Sequence, residues 1–124
     1  MKVNVSNGEL VDKVTILLLK LDHMQSAEKR RHVQKELDAL KPHMESLGIS
    51  RASVVFRELL DVNSRLWDIE DKIRIKEARE EFDGEFIELA RSVYHENDRR
   101  AELKRRINVA TSSDLFEEKQ YAPY

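Results

Sequence analysis

Two stretches concentrate the chemistry that this chain can offer: Asn63, Trp67, Glu70, Asp71 and Arg74 in one, and Tyr94, Asn97, Asp98, Arg100 and Lys104 in the other. The first contains LWDIEDKIR (66–74), with the only tryptophan, and Glu70 and Arg74 stand at the spacing of a helical ion pair. On helical geometry Phe56, Leu60, Asn63, Trp67, Glu70 and Arg74 form a stripe beside an apolar seam. Asn63 and Glu70 then lie between the seam and the tryptophan, not on an outer face. In the second stretch the apolar line Phe86, Ala90, Val93 continues as Asn97, Arg100 and Lys104 before Ile107 resumes it. Amides, carboxylates, cations and aromatic rings together suit a small polar ligand or a protein partner. Buried polar layers also fix register or oligomer state in helical bundles, at a cost in stability. The mixture here is wider than that purpose needs.

Other chemistries find fewer residues. Glu77, Glu80 and Glu81 form an E-x-x-E-E pattern, with Glu96 and Asp98 further on. This resembles the all-α nucleoside triphosphate pyrophosphohydrolases, which hold Mg²⁺ with E-E-x-x-E and E-x-x-D motifs. Here the first motif is reversed and the second is present only as E-N-D. In such a site Mg²⁺ would neutralise phosphate charge and activate water. His23, His32, His43 and His95 are scattered without an H-x-x-x-H pair, and no glycine-rich phosphate loop occurs. The basic runs Lys29–Arg31 and Lys104–Arg106 lie among acids and lack the interleaved aromatics of a nucleic-acid surface.

These residues need helices to position them. Ser6-Asn7-Gly8-Glu9 is a capping-box pattern, followed by Leu10, Val14, Leu17 and Leu21 on one face with Val11 and Leu18 beside them. Ile16 and Leu19 point the other way, so this helix is apolar nearly all round and is expected to be central or shared between subunits. A more polar helix is expected over 26–41, with Val33, Leu37 and Leu40 as its apolar line and Pro42 ending or kinking it. Gly48 reads as a C-cap and Ser50 as the next N-cap. From Arg51 to about Phe82, Val55, Leu59, Val62, Leu66, Ile69 and Ile73 form a coiled-coil-like seam. Asp83-Gly84 is the expected turn, followed by a helix over 85–109. A hairpin turning there sets Glu70 opposite Asn97, Asn63 opposite Lys104, and Ile73 opposite Tyr94. After Ala110, Thr111-Ser112-Ser113 breaks the pattern, and Asp114 is placed to cap one short turn. The expected fold is all-α: a helical bundle built on a long antiparallel hairpin (51–82 and 85–109) with two preceding helices. It forms a single helical domain over 1–124, with 110–124 a short C-terminal tail.

The bulk numbers agree. The chain has 124 residues, of which 37% are charged and 6% aromatic, with three glycines and two prolines; there is little turn chemistry here for a multi-stranded sheet. A net charge of −2 points to neither nucleic acid nor an anionic membrane. The absence of cysteine removes disulfides, thiolate metal sites and cysteine nucleophiles. No signal-peptide core or membrane-length apolar run is present, and a cytoplasmic location is expected.

The segments SNGELVDKVTILLLKL, LWDIEDKIR, FDGEFIELARSVYHENDRRAELKRRIN and EEKQY together resemble a family of small bacterial and phage proteins catalogued as a domain of unknown function. Met24 to Val55 carry little of that resemblance. Members of the family sometimes sit near sugar-transfer or cell-surface polysaccharide modules, and the resemblance implies that the four segments work together. The expected function is a non-catalytic helical binding and assembly protein, linked to sugar or cell-surface polysaccharide metabolism through that context. It is expected to be a homodimer with Ile16 and Leu19 near the interface, and to need no cofactor. A small polar ligand or protein partner is expected in the polar layer. The alternative is the Mg²⁺-dependent pyrophosphohydrolase.

Overall fold

A computed structural model describes residues 1–124 as four helices and no strand: α1 (Asn7–His23), α2 (Ala27–Ser46), α3 (Val54–Ala78) and α4 (Gly84–Ala110). The all-α bundle on an α3–α4 hairpin is therefore what the sequence pattern predicts. α1 is the one helix that packs against all three others, and α2 lies against α1 alone. Its near-circumferential apolar surface explains this. Val11, Val14 and Leu17 join Val33, Leu37 and Met44 of α2, Phe56, Leu59 and Val62 of α3, and Leu103 and Ile107 of α4 in one core with Ile49. Burying each such side chain contributes roughly 1.5–3 kcal/mol.

The helix ends follow local chemistry. Ser6 Oγ accepts from the Glu9 N–H at 3.1 Å, as the capping pattern predicts. At the other end of α1, Arg30 of α2 donates to the carbonyls of Leu21 and Met24. α2 continues through Pro42 to Ser46 and buries Met44, so the proline does not end it. Gly48 takes the left-handed conformation (φ 79°) expected of a C-cap glycine. The N-cap of α3 is Ser53 and not Ser50; its hydroxyl accepts from the Ser50 N–H and closes the connecting turn.

The hairpin turns earlier than Asp83-Gly84. α3 ends at Ala78 in a Schellman arrangement: Glu81 N–H donates to Lys76 O and Glu80 N–H to Glu77 O, with Glu80 left-handed at φ 54°. Asp83 is the N-cap of α4, its carboxylate accepting from the Phe86 N–H, and Gly84 is already helical. Moving the turn slides α4 along α3. Arg65 consequently pairs with Glu96, not with Glu102, and Glu58 pairs with Arg99. Beyond Trp67 the hairpin becomes a two-helix arm. No residue from Ser64 to Glu102 is buried, although Ile69, Ile73, Phe86, Leu89 and Val93 are half-covered along its seam. After Ala110 the chain has only a turn and a bend before the tail; Asp114 starts no further helix. No helix is long and apolar enough to cross a membrane.

Candidate functional site

Two polar side chains of α1, Asp12 and Thr15, stand three residues apart on its buried face. Asp12 is 1% exposed. Arg100 of α4 grips its carboxylate with two hydrogen bonds, Nε to Oδ1 at 2.9 Å and Nη2 to Oδ2 at 2.6 Å. Asn63 of α3 spends both amide hydrogens there, one on Asp12 Oδ1 (2.9 Å) and one on Thr15 Oγ1 (2.8 Å). The Thr15 hydroxyl in turn donates to the Asp12 carbonyl at 2.6 Å, which leaves its oxygen free to accept. Three helices are thus tied at one point by a satisfied, charge-assisted network. The Asp12 hydrogen bond raises the Arg100 pKa, against burial, so the guanidinium stays charged.

Further along α4, at helical spacing, come Lys104 and Asn108. Lys104 Nζ donates to Glu9 Oε2 and to Glu117 Oε2 of the tail, each at 2.7 Å. Burial works against its charge, but the hydrogen bonds it donates to Glu117 and Glu9 prevail and the lysine pKa rises. The Lys104 hydrogen bond holds the Glu117 carboxyl below the usual glutamate range. Asn108 Oδ1 accepts from the Gly8 N–H at 2.6 Å. A Cβ on Gly8 would meet the Lys104 carbonyl oxygen at 2.4 Å, so only glycine admits this approach of α1 to α4. Asn7 closes the series, its N–H donating to Ser113 Oγ and its side chain to Thr111 Oγ1. The result is an antiparallel polar ladder along the α1–α4 contact.

The tail folds back over α4. Glu118 pairs with Arg105 at 2.7 Å, and the Arg105 guanidinium sits 5.8 Å from the Phe116 ring centre. Tyr124 packs on Tyr94 and His95, and its hydroxyl donates to Asp98. Between tail and helix lies a cavity of about 270 Å³, lined by Lys104, Arg105 and Lys119, by Glu102, Glu117 and Glu118, and by Ala101 and Asn108. Asn108 is only 2% exposed as a residue; its amide NH₂ makes no hydrogen bond within the chain but is not sealed from solvent, and the one buried side-chain atom without a partner is Glu96 Oε2.

The residues singled out by sequence are spread over several places. Asn63, Arg100 and Lys104 belong to the ladder. Trp67 is half-buried and stacks on His23, with ring centres 4.5 Å apart. Glu70 is exposed and pairs with Arg74 at 2.8 Å, and Asp71 is also exposed. Asn97 is half-buried without a hydrogen bond to Glu70, so the expected Glu70–Asn97 contact is absent. Lys104 meets Glu9 and Glu117, not Asn63. Tyr94 and Asp98 receive the last residue of the tail. The shifted hairpin turn accounts for these differences. Sequence reasoning missed Glu9, Asp12, Thr15, Asn108 and Glu117. Its available signal was Asp12 and Thr15 at helical spacing within an otherwise apolar run. No three His, Asp or Glu side chains converge as a metal site would require. Glu81 pairs with Lys76 and Glu96 with Arg65, so these acids of the Mg²⁺-like pattern are engaged by separate cations.

A family model described as "Family of unknown function (DUF6165)" matches residues 1–123. No curated protein and no solved structure matches the chain.

Proposed function

The chain belongs to the DUF6165 family of unknown function, and we propose on the strength of its own geometry that it is a non-catalytic helical binding and assembly protein, cytoplasmic and of bacterial or phage origin. The observation that carries this is the mixed-sign cleft at the end of the polar ladder, where three cations, three carboxylates and a buried amide meet. Such a lining recognises a small polar ligand through several oriented hydrogen bonds. Catalysis by the Mg²⁺ alternative needs acids converging on one open point, and the separate pairing of Glu81 and Glu96 favours binding. The sugar-related context of the resemblance fits a polar ligand of this size. The test is thermal unfolding against a panel of sugars, sugar phosphates, nucleotides and amino acids, with and without Mg²⁺. A ligand should raise the melting temperature by mass action, and Asn108→Leu should abolish its effect. Pyrophosphate release from nucleoside triphosphates with Mg²⁺ would overturn the non-catalytic assignment.

We also propose self-association, through a surface different from the one expected. Of the two residues expected near an interface, Leu19 is 5% exposed within one chain and does not suit one, while Ile16 is half-buried and stands alone on that face. The two-helix arm suits one better: its seam is only half-covered, and Ile75, Phe82 and Ile87 are each at least half exposed. A second arm laid against this one would complete a four-helix bundle.

A further inference from the structure

We propose that the cavity beneath the tail is an exchangeable oxyanion site, occupied in this structure by the chain's own Glu117 carboxylate. This deepens the binding assignment above and rests on it. Three features point to an anion. The cavity gathers Lys104, Arg105 and Lys119, and all three have their charge met by tail carboxylates, Lys104 and Lys119 by Glu117 and Arg105 by Glu118. The amide NH₂ of Asn108 makes no hydrogen bond within the chain and is not sealed from solvent, while its oxygen is fixed on Gly8. Lys104 Nζ has three hydrogens and uses two, on Glu9 and Glu117. Spare donors thus remain at a place already built to hold a carboxylate.

The two acids on Lys104 are not equivalent. Glu9 sits in the first turn of α1, where Gly8 and Asn7 are hydrogen-bonded to α4 and to the turn after it. Glu117 lies on a segment with no regular secondary structure; both carboxylates are 42% exposed, so it is the backbone beneath them that differs. Half-exposed ion pairs of this kind are weakly held. An incoming phosphate or carboxylate group can therefore take the place of Glu117 while Glu9 and the ladder stay in position. With Glu117 in place about 270 Å³ already lies open beside it, room for a compact molecule bearing such a group to approach. Glu117 acts as a tethered competitor, and binding and release of the tail are one exchange.

The test uses the full chain with inorganic phosphate and, separately, malonate, each against chloride at matched ionic strength. Thermal unfolding reports binding, and the amide resonances of residues 115–121 report the tail. Phosphate, malonate or both should raise the melting temperature and shift the tail amides, and the arm that responds identifies the class of oxyanion. Glu117→Gln, which removes the competitor's charge, should tighten anion binding several-fold. Lys104→Met should weaken it by roughly tenfold or more. Should that variant fail to fold, Arg105→Gln and Lys119→Gln, at exposed positions, should each weaken binding. Phosphate and malonate behaving like chloride in both wild type and Glu117→Gln would overturn the proposal. So would anion binding that leaves the tail amides unmoved. If a neutral ligand from the panel binds and the oxyanions do not, the binding assignment stands and the exchange is refuted.

Discussion

Replacing Asp12 by asparagine tests whether the buried layer holds the three helices together. The change is nearly isosteric, so packing is preserved while the charge is removed. Asparagine offers one acceptor where Arg100 and Asn63 now present three donor contacts, and its own NH₂ must face other donors. Removing one partner of a buried ion pair costs about 3–5 kcal/mol. The Arg100 side chain keeps 28% of its surface exposed, and water will partly solvate it. The lower end, about 3 kcal/mol, is therefore expected. For a chain of this length that corresponds to a fall in melting temperature of roughly 10–15 °C. Urea unfolding followed by circular dichroism gives the value directly. A cycle with Arg100→Met isolates the pair, and the double variant should recover about 1.5–3 kcal/mol relative to the sum of the single losses. A coupling below about 0.5 kcal/mol would refute the reasoning, because independent sites add within that range.

Three further outcomes are expected. Gly8→Ala should destabilise by about 2–3 kcal/mol despite alanine's better helix propensity, because its Cβ collides with the Lys104 backbone; equal or higher stability in urea would contradict the close approach. The tail contact should be pH-dependent. Glu117 has a lowered folded pKa, so its contribution is complete above about 4.3 and is lost as pH falls through the folded value; tail amides that stay unchanged to pH 3 would rule this out. Sedimentation at tens of micromolar should show a dimer that Ile75→Glu and Ile87→Glu each convert to a monomer. A monomeric wild type, or a dimer indifferent to both changes, would remove the arm from the interface.

Much of the fold was legible because its signals are local. The Ser6 cap, the Gly48 C-cap and the apolar spacing of α1 and α3 each depend on a few neighbouring residues. The hairpin turn misled because its left-handed position is filled by Glu80, a residue with a Cβ, while the conspicuous Gly84 lies inside the next helix. Placing the turn late moved every cross-hairpin partner, so Glu70 was set against Asn97 when its partner is Arg74. The ladder was harder to read for another reason. It joins the first helix to the last and to the tail, and no periodicity within one segment reports a contact between residues about a hundred positions apart. Asn63, Arg100 and Lys104 were visible as polar intrusions in apolar lines; Asp12 and Thr15 intrude in the same way on α1, but nothing in their own segment says which residues they meet. Three of the segments that carry the family resemblance, SNGELVDK, NDRRAELKRRIN and EEKQY, meet in this ladder.

The isolated position of α2 has a consequence for how the protein tolerates change. This helix touches only α1, through Val33, Leu37 and Met44 together with the Lys13–Glu36 and Arg30 contacts. It supplies nothing to the ladder or to the cleft. Its outer positions are therefore free to drift, and its two connections can lengthen, provided that three apolar side chains still cover the back of α1. A cover held by one neighbour also comes loose first. In hydrogen exchange the amides of 27–46 should open at lower free energy than those of α1. The chain thus has one replaceable helix, α2, and three helices and a tail that must be inherited together.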